Sequence, residues 1–165
     1  MRETIMTIKA GERMPAGKFK VMGEVGPQDL SSAQLFDGKR VVLFSVPGAF
    51  TPTCSAKHLP GFIAHGAALR AKGVDTVACM AVNDVFVMNA WGKSSNAGDH
   101  VRMLADGNGE YARALGLELD ATGFGMGHRG QRFAIVIDDG VASKVLVEAP
   151  GEFKVSAAEH VLSQL

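Results

Sequence analysis

The sequence predicts a mixed α/β domain, a β-sheet covered by helices. Three observations carry this. Short apolar runs rich in β-branched residues recur along the chain, and stretches with helix start and stop signals stand between them. Two such runs near the C-terminus are joined by Asp138-Asp139-Gly140, a hairpin signal that adds an antiparallel pair to the sheet. The chain has 165 residues, 47% of them hydrophobic, the size of one domain with a sizeable core. Residues 1–165 read as a single domain, with no repeat, low-complexity stretch or linker.

The elements follow in order. Residues 8–40, rich in Gly, Pro and short polar segments, predict a β-hairpin with connections and a short serine-capped helix over Leu30–Phe36. Val41–Val46 is an apolar run that reads as a buried strand. A Pro/Gly turn follows. A helix then starts around Thr53-Cys54 and runs to about Lys72, where Gly73 supplies the stop. Val74–Val82 is the next strand, and Asp84 caps a helix carrying Phe86, Val87, Ala90 and Trp91. Val101–Ala105 is a short strand and Glu110–Leu115 a short helix. Arg132–Ile137 pairs with Val141–Val147 across the Asp-Asp-Gly turn, and Ser156 caps a last helix, Ala157–Leu165.

Composition excludes several classes. Seventeen basic and seventeen acidic side chains give no net charge and no basic stripe, which argues against a nucleic-acid partner. No apolar run approaches the roughly 20 residues needed to cross a bilayer, so no membrane partner is expected. Met1–Lys9 carries neither an apolar signal core nor an Arg/Ser-rich transit pattern, and Met6 is an alternative start. The expectation is a cytoplasmic protein. Two cysteines are too few for a disulfide-stapled secreted fold.

The chemistry concentrates in Val46-Pro47-Gly48-Ala49-Phe50-Thr51-Pro52-Thr53-Cys54-Ser55. Here a cysteine sits at the start of a helix, just past the end of a strand. Free backbone N–H groups and the positive end of the helix dipole favour the thiolate there, and the thiolate is the reactive form. Thr51 supplies a hydroxyl three residues earlier, close enough to serve the same small substrate. The plain alternative is a small buried hydrophobe, the usual fate of a free cysteine.

This stretch resembles the peroxiredoxins, whose signature Pro-x-x-x-Thr-x-x-Cys is met by Pro47, Thr51 and Cys54. Its continuation into Lys57-His58-Leu59-Pro60-Gly61-Phe62 is similar to the subfamily of peroxiredoxin 5 and the plant type II members. The likeness returns at Val82–Val87 with Trp91-Gly92, at Leu104-Ala105-Asp106 and at Arg129–Phe133, so it covers nearly the whole chain. It implies a thioredoxin-like fold and a thiol-dependent peroxidase acting on hydrogen peroxide and alkyl hydroperoxides. Cys54 is then the peroxidatic nucleophile and passes through a sulfenic acid. Thr51 hydrogen-bonds thiolate and peroxide, Pro47 shields the sulfur, and Arg132 activates it by charge. Spacing alone does not choose Arg132 over Arg129, which the likeness leaves as a supporting residue. Neither a metal nor an organic cofactor is implied. The implied reductant is thioredoxin or a glutathione/glutaredoxin system, and the implied assembly a homodimer.

Cys79 stays open between two roles. It lies in an apolar, β-branched run, where an inert buried thiol is expected. Plant type II members carry a second cysteine at this spacing, so it could instead resolve the sulfenic acid. A Cys54–Cys79 disulfide needs local unfolding, because a helix start and a mid-strand thiol rarely come within about 4.4–6.8 Å between Cα atoms.

Other motifs carry less. Cys54 and His58, four apart, could form a nucleophile pair for acyl transfer, but no oxyanion-hole or third-residue signal accompanies them. The five histidines (58, 65, 100, 128, 160) form no closed metal-ligand set. Gly125-Met126-Gly127-His128-Arg129-Gly130 matches Gly-x-Gly-x-x-Gly, yet a strand rather than a helix follows, so it reads as a loop leading to Arg132. Trp91, Phe86 and Phe50 read as core, with a dimer face as the alternative. A dithiol-disulfide oxidoreductase is disfavoured, because Thr51 stands where the first cysteine of Cys-x-x-Cys would be. A non-enzymatic redox sensor using Cys54 is the remaining rival, separated by turnover.

Overall fold

A computed structural model describes residues 6–165. The expectation for Met1–Lys9 therefore lies partly outside the described residues.

The backbone of the fold is a seven-stranded sheet in the order β2-β1-β5-β4-β3-β8-β9. Its strands are β1 Lys18–Gly23, β2 Gly26–Ser31, β3 Arg40–Ser45, β4 Thr76–Ala81, β5 Arg102–Ala105, β8 Phe133–Asp138 and β9 Val141–Val147. β3, β4 and β5 run parallel, and the remaining neighbours pair antiparallel. The mixed sheet expected from the sequence is present.

Both faces of the central strands are buried, which is why they read as unbroken apolar runs. Side chains alternate across a strand. Val42 and Phe44, with Cys79 of β4 and Ala134 and Val136 of β8, join one apolar cluster. Val41 and Leu43, with Ala78, Met80, Phe133 and Ile135, join the other. The first cluster includes buried residues of α2 Leu59–Ala64, α3 Gly66–Ala71, α4 Val85–Ser94 and α6 Ala158–Ser163. The second includes those of α1 Ser32–Phe36 and α5 Glu110–Ala114.

Local chemistry sets the element ends. Ser31 and Gln34 form a reciprocal capping box at α1. Asp84 caps α4 by accepting from the Val87 amide at 2.9 Å. Asp139 and Gly140 both take positive φ (48° and 80°), as a type I′ hairpin turn requires. After the pairs Asp138–Val141 and Ile137–Ala142 that follow the turn, the β8–β9 register shifts, leaving Ser143 as a bulge.

Four expectations are corrected. The helix expected from Thr53 to Lys72 opens with a π turn, Cys54–His58, and is interrupted at His65 between α2 and α3. Ser156 does not cap α6; Ala157 occupies the cap position without a side-chain bond, and Ser156 is fully buried and bonded elsewhere. The glycine-rich stretch is not only a loop. His128–Gly130 is a strand, β7, paired with β6 Glu118–Asp120 in a separate two-stranded sheet. Trp91 is core, but Phe86 and Phe50 are 65% and 54% exposed. No described helix is long and apolar enough to cross a membrane.

Asp84→Ala leaves the Val87 amide in the first turn of α4 without its acceptor. It should lower unfolding stability by about 1 kcal/mol, read as a lower urea midpoint at unchanged slope.

Candidate active site

The end of β3 runs into a tight loop that is tied down before it becomes a helix. The Val46 amide donates to Met80 O at 3.2 Å, and the Ala49 amide to Asn83 Oδ1 at 3.0 Å. Phe50 takes a left-handed φ of 64°, unusual for a bulky residue, and turns the chain into the helix. Gly48 packs closely there: a Cβ would come 3.1 Å from Thr51 Cγ2 and 3.3 Å from Met126 Cε, so a side chain would push on both neighbours. Pro47 lies on this loop, half-buried.

Helical bonding begins with the Ser55 amide donating to Thr51 O at 2.9 Å. Pro52 fits the first helical position because its missing N–H would have had no partner. Cys54 follows in the first turn, where amides have no partner within the helix. Its carbonyl accepts from the Leu59 amide, five residues on, which makes the turn a π turn. The Thr51 hydroxyl donates to Gly48 O at 2.7 Å, not to Cys54. Its lone pairs face no described donor, so it can accept a hydrogen bond from a peroxide.

The Cys54 side chain is fully buried, and its sulfur accepts from Arg132 Nη2 at 3.0 Å. Arg132 stands just before β8, 78 residues later in the chain. A guanidinium at that distance complements the charge of a thiolate. Of the two arginines that spacing left open, this one reaches the sulfur. Arg129 instead donates to Met126 O at 2.9 Å and Val82 O at 3.2 Å, bracing the loops beside Gly48.

The second nitrogen of the guanidinium, Nη1, lies 2.8 Å from His58 Nδ1. A guanidinium can only donate, so Nδ1 accepts. The other ring nitrogen, Nε2, lies 3.0 Å from Ser156 O, which can only accept, so Nε2 carries the proton. His58 is therefore neutral. Burial, and then the Arg132 charge, push its pKa down to about 3. The ring packs against Phe44, Phe62 and Phe153, and Arg132 Cζ stands 5.8 Å above the centre of the Phe153 ring.

Cys79 sits in β4 opposite Phe44, in the same apolar cluster as Cys54, and both are free thiols. It is fully buried, and burial, with the nearby Cys54, holds its pKa well above the usual thiol value. Among the described residues no His/Cys/Asp/Glu group could hold a metal ion.

The Redoxin family model matches residues 9–162. The chain is 48% identical over 159 residues to Peroxiredoxin-2B of Arabidopsis thaliana, covering 96% of this chain and 98% of that one. Its fold superposes on reduced Prx3 of Vibrio vulnificus in complex with H2O2 at a TM-score of 0.92, with 49% identity and 96% and 99% of the two chains covered. Oxidized Prx3 of the same organism gives 0.89 and 50%, over 96% and 100%.

The chain belongs to the peroxiredoxins. It has their thioredoxin-like fold, and it is an oxidoreductase of their class, a thiol-dependent peroxidase. Within this peroxiredoxin the structure brings Cys54, Thr51, Arg132 and Pro47 to one end of β3 and β8. It leaves Cys79 inside the sheet.

The Cys54–His58 nucleophile pair, disfavoured from the sequence, does not form: His58 faces Arg132 and the Ser156 carbonyl. The sequence does not mark Glu148, Phe153 and Ser156 as site residues, because what ties them to the site is the contact of Ser156 and Phe153 with His58, which lies more than ninety positions earlier in the chain for both.

Stability should respond to acid through His58. Unfolded, the ring takes a proton near pH 6.5; folded, it does so only near 3. Between these values the unfolded chain binds more protons, so stability falls as pH drops, by up to about 1.4 kcal/mol per pH unit. Urea titrations between pH 6.5 and 5 should show a shallower slope for His58→Gln than for the natural protein. Equal slopes would mean that His58 is not held neutral.

Proposed function

We propose that this peroxiredoxin reduces hydrogen peroxide and small alkyl hydroperoxides at Cys54, through a sulfenic acid that an external thiol then reduces. The observation that carries the reading is the 3.0 Å contact between Arg132 and a fully buried sulfur at a helix start. The thiolate attacks one peroxide oxygen, the O–O bond breaks, and the departing oxygen leaves as water or an alcohol once protonated. Arg132 steadies the negative charge that moves onto that oxygen. The Thr51 oxygen orients the peroxide, and half-buried Pro47 limits water at the sulfur.

The reductant in this reading is glutathione with glutaredoxin, or thioredoxin. An incoming thiol yields a mixed disulfide and water, and a second thiol releases Cys54. No metal or organic cofactor takes part. Cys79 is not the resolving thiol in this reading: it is buried, strand-bound and held in the thiol form, whereas attack needs a thiolate. The second reading, resolution by Cys79, rests on both sulfurs sharing one apolar cluster. The exposed Phe50 and Phe86 suit a homodimer face, and two free thiols suit the cytoplasm.

Cys54→Ser should lose peroxide consumption with every reductant. Arg132→Met should slow the oxidation of Cys54 by about 10²-fold or more, and an unchanged rate would remove the arginine from the mechanism. Intact mass after one equivalent of peroxide separates the two resolving routes. A gain of about 16 mass units, trapped by dimedone and unchanged in Cys79→Ser, is the expected result. A loss of about two units within one chain, absent from Cys79→Ser, would establish an internal disulfide instead.

A further inference from the structure

The hydrogen bonds behind Cys54 do not end at Arg132. Ser156 O, which fixes the proton on His58 Nε2, belongs to a segment wrapped around a single carboxylate oxygen. Glu148 Oε2 accepts from the Lys154 amide at 2.7 Å, the Ser156 amide at 2.8 Å and the Ser156 hydroxyl at 2.6 Å. Glu148 is tied in turn to the arginine's own backbone, its amide donating to Arg132 O at 3.0 Å. The result is a closed circuit: Glu148 to Ser156, Ser156 to His58, His58 to Arg132, and Arg132 back to Glu148.

We infer that His58 is a positioning residue for peroxide reduction, a neutral Nε2–H imidazole that holds Arg132 against the Cys54 sulfur, with Glu148 setting its tautomer through Ser156. This rests on the reading of Arg132 as the group that steadies the breaking O–O bond.

The guanidinium carries five N–H groups and no acceptor, so its orientation depends on where acceptors stand. Here two stand in fork geometry, Nδ1 of His58 and Sγ of Cys54. A doubly protonated ring would present N–H to N–H and charge to charge. An imidazole protonated on Nδ1 would lose its bonds to both neighbours. The groups facing the ring are Arg132, the Ser156 carbonyl, the Glu148 carboxylate beyond it, and the rings of Phe44, Phe62 and Phe153, which limit its rotation. Without the Nδ1 acceptor, Arg132 keeps its charge but loses one of the two points that aim it. A displacement of about 1 Å at a reacting group can cost about 10²-fold.

The test is the second-order rate constant for oxidation of the reduced full-length enzyme by hydrogen peroxide, followed by fluorescence of its single tryptophan. His58→Leu, which has no acceptor, should oxidise about 10- to 100-fold more slowly. His58→Gln, whose amide can donate to Ser156 O and accept from Arg132, should recover most of the rate. In an Arg132→Met background, His58→Leu should have no further effect, because the group it positions is gone. Should the leucine variant fail to fold, His58→Asn, polar but too short to bridge Ser156 and Arg132, carries the same expectation. A natural rate in His58→Leu or His58→Asn, no recovery with glutamine, or an equal loss in the Arg132→Met background would each overturn the inference. A natural rate in Arg132→Met itself would instead overturn the reading of Arg132.

Discussion

A guanidinium held 3.0 Å from a fully buried sulfur is expensive to build, because charge removed from water must be met by partners on the protein. The architecture around Cys54 follows from meeting that cost. One nitrogen of Arg132 is met by the sulfur, another by a neutral histidine, and the guanidinium carbon stands over the Phe153 ring. The histidine must in turn stay neutral, which burial and the arginine's own charge enforce. Burial alone would raise the Glu148 carboxyl, but the hydrogen bonds from Ser156 and Lys154 outweigh it and keep the group ionised.

Sheet topology explains how such distant residues meet. β3 ends at Ser45, where it pairs with Phe133, the start of antiparallel β8. β9 returns beside β8 and ends opposite the same residue, at Val147. The helix bearing Cys54 and His58, the arginine just before β8, and the strap just after β9 thus leave the sheet at one edge. The parallel β4 carries Cys79 into the same layer of core but leaves it mid-strand, under the helices.

What could be read in advance follows from the range of the interactions. Strands β3 and β4 were legible because burial of both faces leaves an unbroken apolar run, and the β8–β9 hairpin because Asp-Gly states its turn. The pair β6 and β7 was not: Glu118–Asp120 and His128–Gly130 are three residues each, the second preceded by Gly125 and Gly127, with no alternation to read. Ser156 looked like a helix cap because nothing nearby shows that its hydroxyl belongs to Glu148. In the site, Cys54 and Thr51 announce themselves through local spacing at a helix start. Arg132 was reached only through likeness to a family, since its partner is 78 residues away. The circuit from Glu148 to His58 has no local expression at all.

The bulge at Ser143 shows how a remote irregularity governs this edge. Near the turn, Asp138 faces Val141 and Ile137 faces Ala142; past the bulge, Val136 faces Lys144. Had the first alignment continued, Val147 would stand across from Arg132, and Glu148 would be carried one place along, onto the other side of the pleat. The carboxylate that organises residues 154–156 would then point away from them. Ser143 acts as a one-residue spacer, its hydroxyl donating to Val136 O at 3.1 Å to close the gap it makes. The reading frame of the active site is thus written near the opposite end of the hairpin, and length changes between Val141 and Val147 would be felt at the sulfur before they were felt in the sheet.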